Sequence, residues 1–160
     1  MAVNQDLVGR SFPPTAPYLV GREKVREFAR AVFADAPQHT DVEAARALGF
    51  DDVVAPPTFA MVIQDLALQQ LLGQEDSGIV LARTIHAEQR FSYRRPIVAG
   101  DELTATQRVT GIRMMGGNAM VTSEAAITDA EGAHVVTATS VLLVGADASA
   151  DDSADEEKGA

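Results

Sequence analysis

The sequence contains no cysteine and no tryptophan, and aromatic residues of any kind are scarce. Without cysteine there are no disulfides, iron–sulfur clusters, zinc ribbons or thiol nucleophiles, so stability and chemistry must rest on other groups. A long apolar run is missing as well. The longest one, within Phe59–Leu72, is interrupted by Gln64 and Asp65, which leaves it too short and too polar to insert into a membrane. Residues Met1–Arg10 lack the apolar centre of a secretory leader, which points to the cytoplasm. Basic charge is also in short supply: 13 Lys and Arg face 23 Asp and Glu, for a formal charge of −10. Sequence-independent binding of nucleic acid needs cations that displace counterions, so nucleic acid is not an expected partner.

Much of the acidity is local. The last fourteen residues, 147–160, hold six acids and one lysine and almost no large apolar group. Such a segment cannot offset the entropy of ordering, and a disordered tail is expected there. Residues 1–146 remain for one domain, which at that size buries roughly two-thirds of its unfolded surface and needs no metal to stand.

What is present is organised. An entry segment, Val8–Tyr18, carries three prolines and reads as extended. In Arg22–Phe33 the residues Val25, Phe28, Ala29, Val32 and Phe33 recur at helical spacing, predicting an amphipathic helix with one buried stripe. Thr40 and Glu43 have the spacing of a capping box and announce a short helix that stops at Gly49. Phe59–Leu72, with Thr58 as its N-cap, is apolar around most of its circumference and must be enclosed on several sides. Four alternating runs follow, Thr84–Tyr93, Glu102–Arg113, Ala119–Thr128 and His134–Val144, separated by Gly-containing breaks. Short breaks predict antiparallel hairpins in a meander. The fold class is therefore α+β, with an antiparallel sheet wrapped around a central apolar helix.

Two stretches carry a family resemblance. Ala34-Asp35-Ala36-Pro37-Gln38-His39, continuing to Ala45, resembles the D-x-N-P-[IL]-H motif of the MaoC-like hydratases, and Arg95-Pro96 with Gly100-Asp101 resembles their R-P-x-x-x-G-D turn. The likeness runs from about Val8 to Val144 and is nearest to the Had-type (3R)-hydroxyacyl dehydratases of actinobacterial fatty-acid elongation. It implies a single hot-dog fold, an acyl-CoA or acyl-carrier-protein substrate, no cofactor or metal, and a homodimer or a heterodimer with a MaoC-like subunit. It implies hydro-lyase chemistry, in which an aspartate and a histidine handle the protons of water and an N–H donor stabilises the thioester oxygen. On this chain the implied catalytic pair is Asp35 and His39, and the implied oxyanion region is Pro56, Pro57 and Thr58. The chain departs from the pattern twice. Ala34 stands at the aspartate position, with Asp35 one residue late, and Pro56-Pro57 stands where the family has His-Gly. Proline has no N–H to donate, so Thr58 at the start of the helix is the substitute donor.

Other residues have plainer readings. His86, Glu88 and Arg90 alternate as a solvated ladder, and His134 opens a strand at the surface. Arg94, Arg95 and the flank Arg22, Arg26 and Arg30 are candidates for meeting coenzyme A phosphates or an acidic carrier protein. Met61, Met114, Met115 and Met120 read as core filling that can also adapt to an acyl chain. Three functions stay open: a dehydratase or hydratase, a degenerate substrate-binding subunit paired with a catalytic MaoC-like partner, and a thioesterase using Asp65.

Overall fold

The computed structural model describes residues 2–146; the acidic segment expected to be disordered lies outside the described residues. Strand β1 is Tyr18–Leu19, helix α1 Arg22–Ala31, helix α2 Val42–Ala47 and helix α3 Ala60–Leu72. Strands β2 (Thr84–Tyr93), β3 (Glu102–Met115), β4 (Asn118–Thr128) and β5 (His134–Val144) complete one antiparallel sheet. No helix among the described residues is long and apolar enough to cross a membrane.

The sheet curls around α3, whose Ala60, Ile63, Gln64, Ala67, Leu68 and Leu71 are buried. Period-2 alternation in the strands supplies the opposing face. Leu103, Ala105 and Val109 on β3, Val121 and Ile127 on β4, and Val136 and Leu142 on β5 are all buried. The helix-in-sheet arrangement is the one expected. The strand order is not. It runs β1-β3-β4-β5-β2, so only β3, β4 and β5 form a meander and β2 lies at the far edge beside β5. Residues 94–101, expected to turn β2 directly into β3, instead cross the end of the sheet. Arg94 N–H donates to Val135 O, Ala55 N–H to Ile97 O, and Val98 bridges Val54. Short connections favour hairpins, but this one is fixed by bonds to other segments, and Arg95 pins it through Asp101 at 2.8 Å and Asp129 at 3.1 Å.

The Pro-rich entry segment runs along β3 and donates from Gly9, Phe12 and Thr15 to Val109, Gln107 and Ala105. Pro13 and Pro14 fall between these donors and Pro17 follows the last of them, where no N–H is required. That strap covers one sheet edge and leaves β2 as the open one.

Local expectations are corrected in four places. Helix α1 ends at Ala31, so Val25 and Ala29 are buried and Phe28 packs edge-on against Phe59 at 5.2 Å, while Val32 and Phe33 point outward. Asp41, not Thr40, caps α2, its carboxylate accepting from Ala44 N–H at 2.9 Å. The Thr40 hydroxyl faces Pro37 O instead. Helix α3 starts at Ala60 without a side-chain cap, and Thr58 lies in the preceding turn. Met114 and Met115 are exposed at the tip of the β3–β4 hairpin, beyond the reach of α3, whereas Met61 and Met120 are half-buried. His86, Glu88, Arg90 and His134 are exposed as expected.

A polar seam divides the core in two. Gln107, Ser123 and Ser140 lie on β3, β4 and β5, and Gln64 on α3, all wholly buried. Gln107 Nε2 donates to Ser123 Oγ at 2.7 Å, and Ser123 and Ser140 share a hydroxyl hydrogen bond at 3.1 Å. Ser140 is the cross-strand partner of Gln89 on β2, whose Nε2 donates to Gln64 Oε1 at 2.8 Å. On one side lie Ile63, Leu103 and Ile127; on the other lie Leu71, Val109 and Val121. Buried amides and hydroxyls find partners because each unmade bond costs free energy. Here Gln64 Nε2 and Gln107 Oε1 remain without one among the described residues.

Candidate functional site

The site is built on the turn that carries His39. Pro37 fixes φ at the start of a 3-10 turn, Pro37–His39, closed by His39 N–H to Ala36 O at 3.1 Å and Thr40 N–H to Pro37 O at 3.0 Å. Val54 N–H donates to Gln38 O at 2.9 Å, and His39 Nδ1 lies 2.6 Å from Val54 O. A carbonyl only accepts, so the Nδ1 facing it is the protonated nitrogen. In the neutral ring Nε2 then carries the lone pair, available as a base. His39 is 8% exposed, so the ring is held by its surroundings rather than swinging in solvent.

Beside it opens a cleft of about 270 Å³, lined mostly by apolar atoms of Val54, Ala55, Pro57, Tyr93 and Ile97, with Arg94 among the lining residues. Tyr93 crosses its wall and donates its hydroxyl to Pro57 O at 2.6 Å. Burial pushes the Tyr93 phenol up to about 12, with the Ala60 N–H pulling weakly the other way, so Tyr93 stays a neutral donor at physiological pH. Among the described residues no three histidine or carboxylate side chains converge as metal ligands.

The residues singled out in the sequence are distributed unevenly around this cleft. His39 and Pro57 line it. Pro56 is buried, and its carbonyl accepts from Phe59 N–H at 2.8 Å in the turn before α3. Thr58 is exposed and belongs to a neighbouring groove of about 390 Å³, with Met61, Gln89 and Phe91. Asp35 is exposed on the segment between α1 and the His39 turn and is not among the cleft's lining residues. No carboxylate lines the cleft. Asp65 is exposed on α3 and outside it, with Gln69 Nε2 at 3.5 Å.

The arginines separate by role. Arg95 is consumed by Asp101 and Asp129, whose hydrogen bonds raise its guanidinium further and hold the Asp129 carboxyl below its usual range. Its work is to pin the crossing segment, which removes it as an anion-binding candidate. Arg22 pairs with Asp52, and Arg26 with Glu23 and Thr40 O. Arg30 and Arg94 are exposed and make no ion pair among the described residues.

Sequence reasoning missed Tyr93 and the backbone of Val54. For Tyr93 the signal was present: it stands two and four residues from Phe91 and Gln89, so period 2 turns all three toward α3. For Val54 there was none, since a backbone carbonyl has no sequence signature.

Comparison with known proteins agrees with this fold. The family described as "FAS1-like, dehydratase domain region" matches residues 6–138. A UPF0336 protein of Clavibacter michiganensis is 60% identical over 147 residues, covering 92% of this chain and 99% of that one. A solved MaoC-like dehydratase superposes with a TM-score of 0.82 at 37% identity, over 89% of this chain and 43% of the other, so this chain spans less than half of that protein. A chain of the HadBC (3R-hydroxyacyl-ACP dehydratase) complex from Mycobacterium tuberculosis superposes at 0.75 and 33% identity, over 86% of this chain and 97% of its own. With a curled antiparallel sheet around α3 and a match over most of its length, the chain belongs to the FAS1-like dehydratase-region family and shares the hot-dog fold of the MaoC-like dehydratases.

Proposed function

We propose that this chain is the acyl-thioester-holding subunit of a (3R)-hydroxyacyl-thioester dehydratase, or (R)-enoyl-thioester hydratase, of fatty-acid metabolism, completed by a MaoC-like partner subunit. One observation carries the reading: an apolar cleft offers an oriented histidine but no carboxylate in its wall, and Pro57, where the family resemblance implies the N–H donor to the thioester oxygen, has no N–H to offer. Hydration of the 2-enoyl thioester needs a base to take a proton from water as the C3–O bond forms. The π electrons then move onto the thioester oxygen, and a proton returns at C2. His39 Nε2 is suited to one proton transfer. The second acid–base group and the oxyanion donor are to come from the partner, unless Asp35 and Thr58 take those roles in this chain. That the HadBC dehydratase is a complex of two chains supports the paired arrangement.

The test is hydration of crotonyl thioester, followed by loss of enone absorbance, for the chain alone and with a co-encoded MaoC-like protein. Little turnover alone and a rise of two orders of magnitude or more with the partner is the expected result, since one lost oxyanion donor costs about 10²–10³ in rate. Brisk turnover by the chain alone, abolished by both Asp35→Asn and His39→Ala, would place the whole reaction here. Steady release of free thiol that disappears in Asp65→Asn would make the chain a thioesterase instead.

A further inference from the structure

Helix α1 ends in an unusual way. Phe33 N–H donates to Arg30 O and Ala34 N–H to Ala29 O at 2.9 Å, the paired bonds of a Schellman turn. The residue at its left-handed position is Phe33, with φ +56, the one non-glycine residue with positive φ among those described. Glycine belongs there, because a Cβ crowds the following carbonyl. The side chain gains nothing in return from the fold, since Phe33 is 86% exposed and its neighbour Val32 is 42% exposed. A strained backbone presenting an exposed aromatic ring is unfavourable twice for the isolated chain, which marks the position for a contact made outside it.

The surroundings indicate what makes that contact. Of the four basic residues from Arg22 to Arg30, Arg22 pairs with Asp52, Lys24 with Glu27 and Arg26 with Glu23, which leaves Arg30 as the uncompensated positive charge of the helix. Arg30, one turn before Phe33, is exposed and unpaired among the described residues, as is Arg94 beside the His39 cleft. Asp35 is the only carboxylate between Phe33 and His39. The six residues from Phe33 to His39 cannot span more than about 20 Å even if extended, and the 3-10 turn shortens that reach. A macromolecule resting on Phe33 is thus held near the cleft.

We infer that Phe33, with Val32 and Arg30, is a docking contact for an acidic acyl-carrier protein that delivers its thioester to the His39 cleft. The ring supplies the apolar anchor and Arg30 the charge complement, and aromatic and arginine anchors dominate such interfaces. This inference rests on the acyl-thioester reading and adds to it the surface on which a carrier protein seats.

The experiment uses the chain with its MaoC-like partner. Crotonyl-carrier protein is titrated by calorimetry, and the Michaelis constants for crotonyl-carrier protein and crotonyl-coenzyme A are measured side by side. Phe33→Gly and Phe33→Asn, both suited to the left-handed conformation, should weaken carrier binding about tenfold, as expected for loss of an aromatic anchor. Both should leave the coenzyme A substrate unaffected and raise the thermal midpoint by roughly 2–5 °C. Carrier binding through Phe33 without hydration of either thioester would support the docking contact and sink the hydratase reading. Unchanged carrier affinity in both variants would overturn the inference, as would failure of the wild-type complex to bind the carrier. So would dissociation of the two subunits on size exclusion, which would assign Phe33 to the subunit interface.

Discussion

Gln64 is wholly buried on α3, with its Oε1 accepting from Gln89 and its Nε2 unpaired among the described residues. A buried amide donor without a partner costs about 1–3 kcal/mol, and the single bond to Gln89 returns about 1 kcal/mol. Gln64→Leu removes both contributions at nearly constant volume and brings an apolar side chain between the two halves of the core. Gln89 is half-buried on the edge strand, where water can replace the lost partner. The expected net effect is stabilisation by about 1–2 kcal/mol, because the unmade bond outweighs the one that is made. For a domain of this size that corresponds to a rise in thermal midpoint of roughly 3–6 °C. The assay is paired thermal and urea unfolding of wild type and variant, followed by circular dichroism, with the urea slope checked for constancy. A loss of about 1 kcal/mol or more at unchanged slope would refute the reasoning, because the Gln64 N–H groups would then have to be satisfied in the native protein.

Two further outcomes follow from the titrating groups. The Asp52 carboxyl is held at about 2 by its hydrogen bond with Arg22, against an unfolded value near 3.9; the pair therefore stabilises above about pH 4 and its contribution is lost as pH falls through 2. Arg22→Ala should lower the urea midpoint at pH 7 and leave it close to wild type at pH 2, and an equal loss at both would exclude the pair as the cause. Tyr93→Phe removes the hydroxyl bond to Pro57 O and should cost about 1 kcal/mol at pH 8. The buried phenol titrates near 12 in the fold against about 10 unfolded, so its wild-type contribution is full below pH 10 and declines from there to pH 12. The difference between wild type and Tyr93→Phe should therefore shrink, or reverse, between pH 8 and pH 11; a constant difference would show that the fold does not raise the phenol above its unfolded value.

The amino-acid pattern by itself determined the parts whose periodicity is local. The apolar circumference of Phe59–Leu72 and the four alternating runs are statements about which faces must leave water. They specify a helix enclosed by an antiparallel sheet before any contact is known. The His39 stretch and the prolines at 56 and 57 were legible too, because a motif and a missing N–H are properties of residue type. Which strand sits beside which was not legible. Hairpin logic places β2 next to β3, whereas the crossing segment is fixed by Val54–Val98, Ala55–Ile97 and the Arg95–Asp129 ion pair, all contacts between residues far apart in sequence. The same holds for the tautomer of His39, set by a carbonyl fifteen residues on, and for the polar seam, whose five members come from five elements. Phe33 shows the boundary most clearly. By spacing it continues a buried stripe, and only the backbone turn at the end of α1 throws it outward. Local pattern records what a side chain prefers; the closure of long loops decides which neighbours it meets.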